Sequence, residues 1–583
     1  MANDTGATSA DRMGWWDSIK VYGERRVFAM LLLGFAAGLP NLLIFDTLSA
    51  WLRESGVTLE LIGFFGLATL SYALKFVWAP LLDRTNIPGL TAWLGHRRSW
   101  MLVTQVLVMI GLWMISGSNP QTNLAGVALF AVVVGFFGAT QDIAIDAWRI
   151  EVSDDSRQGV MAASYQLGYR VAVIVAGAVP LVLAQLYSWN LSYAVMATLM
   201  GVGLLGVLLA PREKEHVIRP IPVGDIPSRP ALEWIEWIVR IALMALAAVI
   251  IGTGLTDKAD AFVWAFGPVL GTGGADQVKA LMDMGELDGV LVQFAFVITG
   301  FGLLTTACWP IPGVATRPGA YLAGSFGAPL RDFFMRFGKL AVPILALICL
   351  YRLADFVLNI MNPFYQDLGF SLIEIAEVRK LFGVIAMSAG VIVGGWSVAR
   401  FGLIRTMVVG AFMSPVSNLV FAWLATQGHE LPSLFIAIGI DNVATGFAGT
   451  ALIAYMSSLT SIGFTATQYA LFSSLYALPG KIIASQSGRI VEASARAADE
   501  GGLPAVFKGL FSNMSPDSLA TGAATSGVTP AGLGAGYVSF FLYSTVIGIF
   551  AILLAFYVAR RQPAVEAEAR ARAAAEAEKV DEI

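Results

Sequence analysis

Apolar residues in this chain gather in long unbroken runs, most of them near the roughly 20 residues a helix needs to cross a bilayer. The runs lie near 27–45, 61–82, 100–117, 124–145, 160–186, 190–210, 238–256, 289–311, 340–361, 380–399, 405–426, 432–456, 466–488 and 537–559. They predict an all-α membrane protein with about fourteen spans. The intervening loops alternate in charge. Arg25 and Arg26, then Arg84, Arg97 and Arg98, then Arg149 and Arg157, then Arg212 and Lys214 mark one set. Arg331, Arg336 and Lys339, then Arg400 and Arg405, then Arg560 and Arg561 continue it. Loops such as "SGSNPQTN" and "LYSWN" carry no Lys or Arg. Lys and Arg are retained on the cytoplasmic side, so both termini are expected there. The polar segment 1–26 before a long first run reads as a retained span rather than a cleaved leader.

Composition agrees with lipid as the main solvent. Of 583 residues, 57% are hydrophobic and 13% charged, against about 25% charged in soluble domains; mean hydropathy is +0.70. A net charge of -4 argues against a nucleic-acid partner. Cys308 and Cys349 sit in apolar runs and read as small buried hydrophobes. His96, His216 and His429 all fall in loops and argue against a histidine-rich metal centre. No P-loop and no nucleophile–base arrangement stands out, so the expectation is no enzyme, no cofactor, and an ion gradient as the simplest energy source.

The runs divide as a cytoplasmic segment 1–26, six spans in 27–212, an inserted pair in 213–339, six spans in 340–560 and a tail 561–583. Acids at 257–288 and the small-residue segment 491–536 are expected on the outer side, the latter with an interfacial stretch "AVFKGLFSNM". A weak internal repeat supports the two sixes. The loop "APLLDRTNIPGLTAWLGHRRSW" carries Asp83, Arg84, Gly95, Arg97 and Arg98; the loop "GWSVARFGLIR" carries Gly395, Arg400, Gly402 and Arg405. Each needs a tight turn at the inner leaflet, which glycine permits, and arginines to meet headgroups and helix carbonyl ends. Both loops resemble the G-x-x-x-D-R-x-G-R-R motif of the major facilitator superfamily. Ala79 replaces the leading glycine of the first copy and Ala399 the acid of the second. The resemblance implies two six-helix bundles, here with two additional helices.

Ionisable groups inside spans cost several kcal/mol unless paired or hydrated, so each marks a candidate site. Arg352 and Asp355 in "CLYRLADFVLN" are three apart and share a helix face. Either they neutralise each other, or protonation of the acid frees the arginine and gates the carrier. Asp142 and Asp146, one turn apart in "QDIAIDAW", offer two carboxylates on one face near the inner leaflet. They either cap a helix end or hold Arg170 and the loop arginines in one state and release them in another. Lys75 either snorkels or faces a cavity. Lys481 follows the helix break Pro479-Gly480, and Asp441-Asn442 forms a polar pair on a small-residue helix.

Longer stretches bring a narrower resemblance. "LGFAAGLPNLLIFDTLSAWLRESGVTLELIGFFGL", "KFVWAPLLDR", "HRRSWMLVTQ", "TQDIAIDAWRIEV", "QLGYRVAVIVAG", "APLRDFF" and "FTATQYALFSSL" resemble the AmpG family of muropeptide permeases. The resemblance implies proton-driven import of anhydromuropeptides across a bacterial inner membrane for peptidoglycan recycling, with an indirect link to β-lactamase induction. It also places the functional acids at Asp142, Asp146 and Asp355. Such a cargo needs a wet cavity, stacking aromatics and cations. Tyr72, Trp78, Trp148, Tyr165 and Tyr469 are candidates for stacking, and Lys75, Arg170 and Lys481 for charge. The chain is expected to work as a monomer. Two alternatives stand beside this: a carrier like the acetyl-CoA transporters, and a membrane receptor that moves no solute.

Overall fold

The computed structural model describes residues 23–55, 70–213, 226–256, scattered positions between 262 and 280, 287–356, 360–484, 487–512, 514–515 and 518–581. Among these the secondary structure is helical throughout. Helix α1 (Arg25–Leu42) runs through a π turn into α2 (Leu48–Glu54). Then α3 (Leu70–Leu74) leads through a 3-10 turn, Lys75–Val77, to α4 (Ala79–Arg84). α5 (His96–Ser116), α6 (Leu124–Glu151), α7 (Asp155–Leu186), α8 (Trp189–Leu199) and α9 (Gly201–Leu209) complete the N-terminal set. The inserted pair is α10 (Pro230–Thr256) and α11 (Leu287–Cys308). The C-terminal set is α12 (Ala328–Phe337), α13 (Ala341–Leu350), α14 (Leu353–Phe356), α15 (Gly383–Phe401), α16 (Leu403–Ala425), α17 (Leu431–Ser458), α18 (Thr465–Ala484), α19 (Ser487–Asp499) and α20 (Pro530–Asp581).

Eleven helical stretches among the described residues are long and apolar enough to cross a membrane. The expected runs that fall short are 27–45, 61–82 and 466–488. The first runs on through the π turn after Leu42, where several side chains lie outside the described residues. The second is broken at Lys75 and lies partly outside the described residues, as does the end of the third.

Lipid tails are as apolar as leucine, so burial of apolar surface does not itself bring spanning helices together; close packing does. On α7, a Cβ at Gly168 would lie 2.0 Å from the Leu31 carbonyl oxygen of α1. On α15, a Cβ at Gly390 would lie 2.2 Å from the Val443 carbonyl oxygen of α17. Each set therefore has at least one helix pair in backbone contact among the described residues. Around them sit fully enclosed side chains: Met30, Leu33, Trp148 and Met161 in the first set, Phe364 and Phe540 in the second. Outward-facing Leu129, Leu205, Ile385 and Phe550 are each more than half exposed, as a lipid-solvated surface requires. The inserted pair packs on itself, Gly300 against Ile251, and stacks Phe301 on Phe76 of the N-terminal set at 5.9 Å.

Candidate functional site

Between the two helix sets lies a cavity of about 880 Å³ whose lining includes Arg170, Arg352, Asp355, Arg379, Asp441 and Asn442. The sequence places Arg352 and Asp355 on one face, and the structure pairs them: Arg352 Nε lies 2.7 Å from Asp355 Oδ2. The second Asp355 oxygen accepts from the Ser414 hydroxyl of α16. Tyr351, next to the pair, donates to the Met407 carbonyl at 2.7 Å and fixes the turn between α13 and α14. Asp441 accepts from Ser417 at 3.2 Å, whereas the Asn442 amide is spent on its own helix, donating to Ile438 O at 2.9 Å. A mid-span ion pair of this kind neutralises two charges that would otherwise be costly. It also leaves them at the wall of a space that a solute can occupy.

A second cluster forms beside α6. Asp146 Oδ2 lies 3.7 Å from Lys75 Nζ, and its Oδ1 lies 3.4 Å from Arg149. Lys75 is buried rather than snorkelling. Asp142 sits one turn earlier, within electrostatic reach of Lys75, Tyr72, Tyr165 and Tyr169. Its Oδ1 and the Tyr72 hydroxyl are buried with no hydrogen-bond partner among the described residues. The expected contact of these acids with Arg170 is absent: Arg170 faces the cavity from α7, and Asp146 is taken by Lys75 and Arg149 instead.

The aromatic candidates divide. Tyr165 and Tyr469 lie within reach of the acids, and Tyr469 also sits under the Arg149 guanidinium at 5.1 Å. Trp148 is fully enclosed and donates to the Pro211 carbonyl at 3.1 Å, which makes it core. Trp78 donates to the Thr140 hydroxyl at 3.0 Å and packs on Phe136, so it braces α6. The Lys481 side chain lies outside the described residues.

At the arginine-rich end the two sets meet directly. Asp83 accepts from the backbone N–H of Ala466 at 3.1 Å, from that of Thr467 at 2.9 Å and from the Thr467 hydroxyl at 2.6 Å. A carboxylate from the N-terminal set thus caps the first turn of α18, where unsatisfied N–H groups and the helix dipole favour negative charge. Arg97 holds that acid at 2.6 Å and Glu151 at 2.6 Å. Its own N–H donates to Glu213 at 2.9 Å. Arg84 reaches the Gly324 carbonyl at 2.9 Å and Arg98 the Val207 carbonyl at 3.0 Å. Arg149 adds a bond to Ser457 of α17 at 2.8 Å. Gly95 and Gly402 turn at φ 100° and 89°, where other residues are strained. The second loop has no carboxylate at Ala399; Gly395 packs by its carbonyl beside Gly159, Arg400 lies over Phe401, and Arg405 borders a smaller cavity with Arg336 and Glu566.

Sequence reasoning did not single out Thr467, Glu213, Ser414 or Arg379. A helix start is legible at Thr465–Gln468, just after the Gly463 turn, and would have located the capped N-terminus.

The family model for the Major Facilitator Superfamily matches residues 47–484. The chain is 29% identical over 475 residues to a Rickettsia conorii protein named AmpG 4, covering 81% of this chain and 91% of that one. It is 29% identical over 478 residues to the anhydromuropeptide permease of Escherichia coli, covering 82% and 76%. The solved structure of the proton:xylose symporter XylE matches with a TM-score of 0.50 at 11% identity, over 91% of this chain and 95% of that one, a likeness of fold.

Proposed function

We propose, since the chain belongs to the major facilitator superfamily, that this transporter carries anhydromuropeptides, inward and at the expense of a proton gradient. The observation that carries this reading is the charged cavity of about 880 Å³ between the two helix sets, in a chain resembling a permease of that name. The cavity suits a sugar–peptide solute, with guanidiniums for carboxylates and Asp441 for hydroxyl or amide groups. In this reading residues 27–212 and 340–560 are the two rocking bundles, and 213–339 is an inserted linker with two further spans. The arginine-rich end faces the cytoplasm, as do both termini, and the protein works as a monomer in the inner membrane. Its cargo serves peptidoglycan recycling and so bears indirectly on β-lactamase induction.

Coupling follows from the pairs. Protonation of Asp355 removes the counter-charge of Arg352, which then turns to solute. The Asp142–Asp146 cluster governs the closed end, because Arg149 links Asp146 to Ser457 across the seam. An imposed pH gradient across proteoliposomes holding the purified protein should drive accumulation of labelled N-acetylglucosaminyl-anhydromuramyl peptide, competed by unlabelled muropeptide and not by coenzyme A. No accumulation above protein-free liposomes refutes the reading.

A further inference from the structure

Arg170 is the odd charge of the cavity. It sits ten residues or more inside the apolar stretch of α7, and arginine remains protonated in any protein setting. Among the described residues it forms no ion pair and no hydrogen bond with a carboxylate. The charged group within its reach is another cation, Arg352; its remaining electrostatic neighbours are the phenols Tyr169 and Tyr476. Among the described residues the nearby acids face other groups. Asp355 is held by Arg352 at 2.7 Å and by Ser414. Asp441 is held by Ser417 and stands within reach of Arg352 and Arg379. Asp146 is held by Lys75 and Arg149, and Asp142 lies toward Lys75. Among the described residues the lining therefore sets Arg170, Arg352 and Arg379 against Asp355 and Asp441, with the imbalance at Arg170.

An unpaired guanidinium in a low-dielectric site is expensive, and a site with no counter-ion for it among the described residues is suited to receive one. The planar fork of arginine matches a carboxylate with two parallel hydrogen bonds. We propose that Arg170 reads an anionic group on the cargo: a carboxylate of the transported molecule seats on its guanidinium and supplies the missing counter-charge. This rests on the reading of the cavity as the cargo site of a muropeptide carrier. The consequence is a filter. A neutral saccharide that fits by shape leaves Arg170 uncompensated beside the Arg352–Asp355 pair, and is rejected.

The test uses two probes on the full-length purified protein in nanodiscs: N-acetylglucosaminyl-anhydromuramic acid, whose lactyl group ends in a free carboxylate, and its carboxamide. Calorimetric titration of the wild type should show the acid binding roughly 10- to 100-fold tighter than the amide, the range of a charge-assisted hydrogen bond. Arg170→Gln should lose that preference by weakening the acid alone, and Arg170→Lys should keep part of it. The Arg170→Gln apoprotein should also melt at a higher temperature than the wild type, because an uncompensated charge is gone; a structural salt-bridge role gives the opposite sign. Acid and amide bound equally by the wild type, or an undiminished preference in Arg170→Gln, overturns the proposal and leaves the cargo reading standing. Failure of the folded wild type to bind either probe overturns the cargo reading and this proposal with it.

Discussion

Asp146 and Asp355 begin alike. Each is an acid in an apolar helical stretch with an arginine three residues away, Arg149 at 3.4 Å and Arg352 at 2.7 Å. Their surroundings then diverge. Asp355 stands at the wall of the central cavity, with a hydroxyl on its second oxygen. Asp146 is 5% exposed, carries a second cation in Lys75, and through Arg149 reaches Ser457 on the opposite helix set. The same local motif thus lines the cavity in one place and is built into the contact between the two helix sets in the other. What separates the two roles is the third partner, a serine for one and a lysine for the other, and no local spacing encodes it.

The strongest way to break this contrast is Asp355→Asn. The variant keeps an acceptor for Ser414 but leaves Arg352 without its anion. Breaking a buried pair costs about 3–5 kcal/mol, and the site can no longer titrate. Gradient-driven accumulation should fall to the level of protein-free liposomes while facilitated exchange of muropeptide persists. Full accumulation at a steep pH gradient would remove Asp355 from coupling. Next comes the seam. Asp146→Asn strands both Lys75 and Arg149 and should reduce thermal stability by a similar amount as well as slow transport. Asp142→Asn, whose Oδ1 has no hydrogen-bond partner among the described residues, should lower transport with normal membrane levels of protein. Equal loss of protein from both variants would reduce the cluster to a helix-end cap.

The pairing of Arg352 with Asp355 was legible from spacing, because residues three apart on a helix meet whatever the fold does. The Gly95 and Gly402 turns were legible for the same local reason. Contacts between helices were not. Lys75 and Asp146 are 71 positions apart and meet through the 3-10 turn that breaks the helix at Lys75, which no apolar periodicity reports. Arg170 has a readable face but not a readable neighbour, so the carboxylates nearest in sequence looked like its partners. Trp148 shows the converse. Its sequence context suits a stacking platform, yet packing against the Pro211 carbonyl encloses it completely. Periodicity gives the direction of a side chain on its own helix, while its partner depends on how helices are rotated against one another.

Asp83 tests whether the seam is a switch or a fixture. Asp83→Asn keeps one acceptor for the first turn of α18 but removes the charge that answers the helix dipole and Arg97. A cap of this kind is worth about 1–2 kcal/mol. The arginine-rich end should open roughly tenfold more often, since about 1.4 kcal/mol is a factor of ten. The readout is alkylation of a cysteine placed at Val398, buried against Gly159, in a background lacking Cys308 and Cys349. An unchanged rate would make the cap static and detach it from the Asp146 cluster.

The smallest effect belongs to an acid outside both clusters, which sets the baseline for what a carboxylate contributes by folding alone. Asp499, at the end of α19, accepts from Lys508 at 2.7 Å, from the Thr529 N–H at 2.7 Å and from the Thr529 hydroxyl at 2.6 Å. Burial pulls its carboxyl upward, but the Lys508 and Thr529 hydrogen bonds outweigh that and hold it below the usual carboxylate range. A depressed acid adds stability that is fully present above its unfolded-state value, about pH 3.9, and is lost as the pH falls through the lower folded-state value. The pair with Lys508 is partly exposed, so screening reduces its worth. Asp499→Asn should therefore cost about 1 kcal/mol or less at pH 7, with the difference in melting temperature shrinking as the pH drops below that range and with transport unaffected. A transport defect as large as that of Asp146→Asn would mean that this segment moves with the carrier, and that the seam cluster is not special in linking structure to transport.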